Sequence, residues 1–152
     1  MQNGELSPNV HPRLYWILIG TNDLTAGCSA EVIVAGNIRI VQEILKHAQH
    51  SRPKVVINSL FPRGAAELLH QSRHWKILQQ VNQQLLCYAL QTPDVEFVNT
   101  TSLFVSQRGE GDQNEGVYIR QDYFEQDNLH PSVEGSRVWE EVIIQQTMEL
   151  MG

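Results

Sequence analysis

Three short apolar segments, separated by helix-length amphipathic stretches, most restrict what this chain can fold into. The first runs from Leu14 to Ile19, the second from Lys54 to Ser59 and the third from Val95 to Val98. Each is too short for a helix and rich in β-branched or aromatic residues, which predicts buried strands. Strands that alternate with helices predict an α/β fold with a parallel sheet covered on both faces.

Amphipathic stretches predict the helices that cover this sheet. Apolar residues recur at helical spacing from Ala30 to His50 and again from Arg73 to Leu90. A last helix should begin just after Pro131, with Ser132 as its N-cap. Four of its apolar side chains should face inward: Val138, Trp139, Val142 and Ile143. The polar, glycine-containing segment 100–126 predicts a long loop with room for a helical turn.

Composition sets limits on the class of protein. At 152 residues the chain fits a single domain over residues 1–152, and its 41% hydrophobic and 18% charged residues are typical of a soluble globular protein. The net charge is −6 and the basic residues are scattered, which argues against a nucleic-acid partner. Apolar runs stay far below the roughly 20 residues of a membrane span, and the N-terminus has no signal-peptide pattern. Cytoplasmic localisation is the default expectation.

Polar side chains follow each predicted strand. Gly20-Thr21-Asn22-Asp23 comes after the first, Asn58-Ser59-Leu60-Phe61-Pro62-Arg63-Gly64 after the second, and the loop with Asp127 and His130 after the third. The carboxyl ends of parallel strands meet at one edge of a sheet, where ligands bind. An acid and an imidazole three residues apart can act as the orienting acid and the general base of a triad. The amide of Asn22 could donate to a developing oxyanion.

Two of these segments identify a family. Gly20-Thr21-Asn22-Asp23 and Asp127-Asn128-Leu129-His130-Pro131 resemble the third and fifth sequence blocks of the SGNH (GDSL-type) hydrolase superfamily. Leu60-Phe61-Pro62-Arg63-Gly64 further resembles the branch that contains the platelet-activating-factor acetylhydrolase catalytic subunits, and Asn3-Gly4-Glu5-Leu6 the segment before the third family strand. The resemblance covers essentially the whole chain but only about the C-terminal two-thirds of the family domain.

The resemblance implies a flavodoxin-like three-layer α/β/α sandwich, here without its first strands, and a serine esterase that removes small acyl groups. Asn22 would be the oxyanion donor, Asp127 the orienting acid and His130 the base. Gly20, Thr21 and Arg63 are further candidates for substrate binding. No metal or organic cofactor is implied. The family nucleophile, a serine in a Gly-Asp-Ser motif after the first family strand, has no counterpart here, so the chain is expected to be truncated and nearly inert alone.

None of eight serines has the strand-to-helix setting of a nucleophile: Ser29, Ser51, Ser59, Ser72, Ser102, Ser106, Ser132 and Ser136. His70 and His74 are four residues apart but have no apparent third metal ligand, so a solvated helix face is the preferred interpretation.

Other interpretations stay open for several residues. Asn22 could simply be part of a turn, and Asp127 with His130 could close a loop onto a helix. Arg63 could contact an anionic substrate group or form a salt bridge. Three aromatic residues are candidates to line a pocket: Tyr118, Tyr123 and Phe124.

Two alternatives to an esterase also remain. The first is a non-catalytic binding or interaction protein that keeps the fold without the nucleophile. The second is that a separate polypeptide supplies the missing strands. In this sheet order the strand Leu14–Ile19 would normally pair with the absent first strand, and its exposed edge would then favour aggregation or self-association.

Overall fold

A parallel three-stranded sheet forms the centre of the protein. The computed structural model describes residues 11–48, 51–63, 72–108 and 116–152. The strands β1 (Leu14–Ile17), β2 (Lys54–Asn58) and β3 (Val95–Val98) lie in the order β1-β2-β3. Tyr15 pairs with Val55 and Ile57 pairs with Phe97, so all three carboxyl ends lie at the same edge. The predicted α/β fold with a parallel sheet is confirmed.

Three long helices lie where the sequence predicts them: α2 (Ala30–His47), α3 (Arg73–Gln91) and α4 (Val133–Met151). A short helix that the sequence did not predict, α1 (Thr21–Thr25), follows β1. The helices α2 and α3 pack against each other, and their apolar stripes join the residues of β2 in one core. None of the helices in the described ranges is long and apolar enough to cross a membrane.

The segment after β3 contains more regular structure than the sequence predicts. A 3₁₀ turn at Thr101–Phe104 leads into an antiparallel pair of strands, β4 (Val105–Arg108) and β5 (Gly116–Ile119), and a second 3₁₀ turn follows at Gln121–Tyr123. The pair was not predicted because its strands are only four residues long, which leaves little periodicity to detect, and because β4 is mostly polar.

The strand β1 ends two residues earlier than predicted. Leu18 and Ile19 leave the sheet as the chain approaches Gly20, and the carbonyl oxygen of Ile19 accepts a hydrogen bond of 3.0 Å from the side-chain amide of Asn37. Asn37 lies in α2 and is only 2% exposed. A buried side chain from the following helix therefore takes the place of a strand partner at this carbonyl.

The helix α4 begins as predicted but is less buried than predicted. The hydroxyl of Ser132 caps its first turn by accepting from the backbone N–H of Gly135. Gly135 is the one buried residue of α4, and the four side chains expected to face inward are only partly buried. Val133, Ile144 and Met148 are exposed. The described elements thus leave much of α4 uncovered.

Candidate functional site

The turn after β1 holds Asn22 at the sheet edge. Gly20, which immediately precedes α1, has a φ of 121°, and a Cβ at this position would lie 2.6 Å from the Cγ2 atom of Ile33. Glycine is therefore required for the chain to turn here while staying against α2. The turn leaves Asn22 exposed at the start of α1, and its side-chain amide makes no hydrogen bond to any described residue. That amide is free to donate to a ligand.

Asp127 and His130 form the predicted pair. Nδ1 of His130 lies 2.6 Å from Oδ2 of Asp127, and the other carboxylate oxygen accepts from the backbone N–H groups of Leu129 and His130, both at 2.9 Å. The side chain of His130 is 72% exposed and that of Asp127 47% exposed. Within the described residues Nε2 of His130 has no hydrogen-bond partner. The pair therefore presents one imidazole nitrogen to solvent and fixes the other.

The electrostatics of the pair follow from these contacts. The hydrogen bond from His130, aided by the backbone N–H groups of His130 and Leu129, lowers the pKa of Asp127 to about 2. Asp127 is thus a carboxylate at neutral pH and accepts hydrogen bonds only. The ring nitrogen that faces it must then carry the proton, which makes Nε2 the basic nitrogen of a neutral imidazole.

The loop that carries this pair is fixed at both ends. The backbone N–H of Glu125 donates to the carbonyl oxygen of His130 at 2.8 Å, and Phe124 forms a β-bridge with Pro131. The Ser132 hydroxyl donates to the Asp122 carbonyl oxygen at 2.8 Å. Because Ser132 also caps α4, the same residue joins the helix to the 3₁₀ turn before the loop.

Arg63 connects the loop after β2 to the turn after β1. Its Nη1 atom donates to the carbonyl oxygen of Thr21 at 2.6 Å. Within the described residues, no carboxylate lies within salt-bridge distance of Arg63, and partial burial lowers its pKa. Of the two roles considered from the sequence, the salt bridge is not found among these residues.

A series of contacts links the two halves of the candidate site. Two residues before Arg63, the ring of Phe61 lies 4.3 Å from that of Phe104, and Phe104 lies 5.2 Å from Phe124. Phe124 is bridged to Pro131, the residue after His130. Tyr123 and Phe124 are therefore core residues behind the loop and not lining of an open pocket, whereas Tyr118 is partly exposed.

A buried polar cluster, which the sequence did not predict, lies beneath this edge. We call it the Asn58 network: the buried residues Asn58, Ser59, Thr100 and Thr101, together with the partly buried Asn82. Oδ1 of Asn58 accepts from the indole N–H groups of Trp139 (2.9 Å) and Trp16 (3.3 Å), while its Nδ2 donates to the Ser59 carbonyl oxygen and the Thr100 hydroxyl. Both tryptophans, Trp16 in β1 and Trp139 in α4, are therefore hydrogen-bond donors to the same oxygen.

Ser59 has no capacity left to act as a nucleophile. Its hydroxyl oxygen accepts from the backbone N–H groups of Thr100 and Thr101, both at 2.9 Å, and lies 2.8 Å from the Thr101 hydroxyl oxygen. The Thr100 hydroxyl oxygen lies 3.3 Å from the Ser59 hydroxyl oxygen, and the Thr101 hydroxyl also lies 2.7 Å from the Leu60 carbonyl oxygen, so hydroxyl and backbone partners surround the Ser59 hydroxyl. Ser59 is fully buried. It is a structural residue of the sheet edge.

The predicted site residues fall into two groups. Gly20, Thr21 and Arg63 meet around the first turn, Asp127 and His130 meet in the second loop, and no hydrogen bond among the described residues joins Asn22 to His130 directly. His70 lies outside the described residues, as do Gly64 and the motif segment Asn3-Gly4-Glu5-Leu6. In the described ranges, no three His, Cys, Asp or Glu side chains cluster as a metal site would need.

Comparisons with known proteins add to this geometry. The model of the GDSL-like Lipase/Acylhydrolase family matches residues 2–138. No curated protein matches the sequence. Among solved structures, a candidate acylhydrolase from Bacteroides fragilis is 23% identical with a TM-score of 0.67, over 93% of this chain and 64% of that one. A GDSL-like lipase from Bacteroides thetaiotaomicron is 26% identical with a TM-score of 0.66, over 91% and 63%.

A third similar structure is a candidate platelet-activating-factor protein from Streptococcus pneumonia. It is 22% identical with a TM-score of 0.61, over 80% of this chain and 53% of that chain. The chain thus spans less than two thirds of the length of each of these structures.

Proposed function

Since the chain belongs to the GDSL-like lipase/acylhydrolase family, we propose that it carries most of a serine ester hydrolase site whose nucleophile lies outside residues 1–152. The observation that carries this proposal is the Asp127–His130 pair, with 2.6 Å between carboxylate and Nδ1 and with Nε2 unbonded among the described residues. Triads use this geometry to prepare a general base. The substrate would be an ester of a small acyl group.

Each residue has a definite role in the proposed reaction. Nε2 of His130 takes the proton of the serine hydroxyl as its oxygen attacks the ester carbonyl, and Asp127 holds the ring and stabilises the imidazolium. The side-chain amide of Asn22 donates to the oxyanion that develops on the carbonyl oxygen. His130 then protonates the leaving alcohol, and water activated by the same imidazole releases the acid. No cofactor takes part in these steps.

The arrangement of the sheet edge supports a common site. Asn22 follows β1 directly, and Arg63 fixes the preceding carbonyl, that of Thr21. Aromatic contacts connect Phe61 through Phe104 to Phe124, and Phe124 forms a β-bridge with the residue after His130. Both loops are thus attached to the carboxyl edge of one parallel sheet, where active sites of such folds form.

The positions and hydrogen bonds of five described serines support the proposal that the nucleophile lies elsewhere. Ser59 is buried with its hydroxyl fully engaged, and Ser132 uses its hydroxyl to join α4 to Asp122. Ser29 and Ser72 immediately precede α2 and α3, and Ser136 lies within α4. None of these follows a strand as an exposed residue in a sharp turn, which is the position that exposes a serine nucleophile to substrate.

An esterase assay with a chromogenic acetyl ester tests the proposal. The purified 152-residue chain should give background rates. DNA upstream of the Met1 codon should encode a strand followed by Gly-Asp-Ser in frame, and the extended protein should hydrolyse the ester. In that protein His130→Ala should reduce the rate by about 10³–10⁶ and Asn22→Ala by about 10²–10³. The exposed His47, on α2, supplies the control: His47→Ala should leave the rate unchanged.

Two results would contradict the proposal. Turnover by the 152-residue chain that disappears in His130→Ala would place the nucleophile inside the chain. Turnover by the extended protein that survives His130→Ala would remove His130 from the mechanism.

A non-catalytic interaction protein is the second candidate function. Two observations favour it: β1 is an edge strand of the described sheet, and Val133, Ile144 and Met148 of α4 are exposed. An unpaired strand edge is a template for pairing with another chain. This candidate predicts no Gly-Asp-Ser motif upstream and a dimer or larger species in light scattering. A monomer together with an active extended protein would exclude it.

A further inference from the structure

The guanidinium of Arg63 has a fixed position beside the oxyanion turn. One of its five N–H donors bonds the carbonyl oxygen of Thr21, the residue before Asn22. Arg63 itself is partly buried and follows Phe61 and Pro62, which are buried. The buried residues before Arg63 and its hydrogen bond to Thr21 hold the remaining N–H donors near the position of the proposed reaction.

The charge of Arg63 is not neutralised by any described residue. Its only hydrogen-bond partner there is a neutral carbonyl, and the nearby Asp23 is not within salt-bridge distance. Partial burial without such a partner disfavours the charged form, and the pKa of Arg63 is accordingly lowered. By contrast, three other arginines form salt bridges with carboxylates at the surface: Arg39, Arg120 and Arg137. Arg63 thus differs from each of them.

We propose that Arg63 binds an anionic group of the substrate, so that the esters cleaved at this site carry a carboxylate or a phosphate in addition to the scissile acyl bond. The proposal rests on the proposed function, because it assumes that an ester carbonyl lies at Asn22. A planar guanidinium with free donors matches the two oxygens of such a group. The anion also supplies the negative charge that Arg63 lacks.

Two pairs of esters test the proposal on the purified chain. Monomethyl succinate carries a carboxylate and dimethyl succinate does not; methyl phosphonoacetate and trimethyl phosphonoacetate are the corresponding phosphate-like pair. Titrations are followed by NMR through the side-chain N–H signals of Arg63 and Asn22. The charged member of at least one pair should bind about 10–100-fold more tightly, which is the range for a charge-assisted hydrogen bond. The pair that shows the preference identifies the anion.

Variants separate anion binding from a structural role. Arg63→Gln should abolish the preference for the charged ester, Arg63→Lys should keep part of it, and Arg39→Gln should leave it intact because Arg39 is exposed and paired with Glu43. Glu67→Gln, which removes the next acidic residue along the chain, should not change the preference. A stronger preference for the charged ester in the Glu67→Gln variant would mean that the carboxylate of Glu67 competes with the ester for Arg63.

Several outcomes would overturn the proposal. It fails if charged and neutral esters bind equally, if the preference survives in Arg63→Gln, or if that variant weakens binding of charged and neutral esters alike. The last result would make Arg63 a positioning residue for the Thr21–Asn22 turn. Hydrolysis by the extended protein tests the proposed function separately, because loss of the charge preference leaves the effect of His130→Ala on a neutral acetyl ester unchanged.

Discussion

The Asn58 network and the Asp127–His130 pair are both polar, but their surroundings are opposite. Asn58 is 1% exposed, and its side-chain oxygen and nitrogen bind four groups from β1, α4 and the loops after β2 and β3. The side chain of His130 is 72% exposed, and its one described side-chain bond is to a residue three positions away. One cluster joins distant parts of the chain, whereas the other is local.

The contrast indicates a division between support and chemistry. A buried polar group must be fully bonded, so the Asn58 network fixes the relative positions of β1, β2 and α4. The exposed pair needs few contacts for its own geometry, but the loop that carries it must be held in place. The helix α4 and the second 3₁₀ turn anchor this loop. Changes to the supporting residues should therefore affect stability, and changes to the exposed residues should affect proton equilibria or activity.

Gly135→Ala should produce the largest loss of stability. A Cβ at this position would collide with the backbone carbonyl oxygen of Tyr123, which cannot move aside as a flexible side chain could. We expect the free energy of unfolding to fall by about 3 kcal/mol, at the upper end of typical overpacking. Urea titration followed by circular dichroism measures this change. A loss below about 1 kcal/mol would show that α4 is not held tightly on the 3₁₀ turn.

Gly36→Ala is the matched control. Gly36 also lies in a helix, α2, but a Cβ there would meet nothing within 4 Å. Alanine in an open helical position should stabilise the protein by about 0.5–1 kcal/mol. The opposite signs expected for the two substitutions separate steric contact from helix propensity.

Asn58→Leu should produce the next largest effect. The substitution keeps the approximate volume but removes the acceptor for two indole N–H groups and the donor to the Thr100 hydroxyl. Groups left without partners in a buried site should lower the free energy of unfolding by about 2–3 kcal/mol. The fluorescence of Trp16 and Trp139 should change as well. An unchanged unfolding midpoint would show that the network is not a structural support.

The comparison also explains how far the sequence could predict the structure. Local patterns predicted the strands β2 and β3 to within a residue, because β-branched runs between turn residues are distinctive. The Asp127–His130 pair was also predictable from a local pattern: its members are only three positions apart, so no long-range contact was needed to place them.

What the sequence could not predict depends on long-range contacts. Asn58 accepts hydrogen bonds from Trp16, 42 residues away, and from Trp139, 81 residues away. A local sequence pattern does not predict contacts between residues so far apart. A signal did exist for Asn37, which is polar within the apolar stripe of α2, and for Asn58, which is polar at the end of a buried strand. Such residues need partners when buried. The partners themselves could be identified only in the folded structure.

The pH dependence of the exposed pair gives a smaller effect. The pKa of Asp127 lies near 2, below its ordinary value, so the hydrogen bond with His130 is fully present above pH 4 and is lost as the pH falls toward 2. His130→Ala removes the largest cause of the lowered pKa and leaves the backbone N–H groups. The pKa should therefore rise only part of the way to its ordinary value. NMR titration of the Asp127 carboxyl carbon measures it, and an unchanged value would show that the backbone alone stabilises the carboxylate.

Asn22→Ala should have the smallest effect on stability and is the closest counterpart of Asn58→Leu. Both residues are asparagines next to or at the end of a strand, but the Asn22 amide is exposed and has no partner among the described residues. Its removal should change the free energy of unfolding by less than about 0.5 kcal/mol, as for other surface substitutions. Urea titration of the two variants side by side provides the measurement. A loss of 1 kcal/mol or more in Asn22→Ala would mean that this amide supports the turn, and the division between supporting and exposed polar residues would then not hold at the oxyanion position.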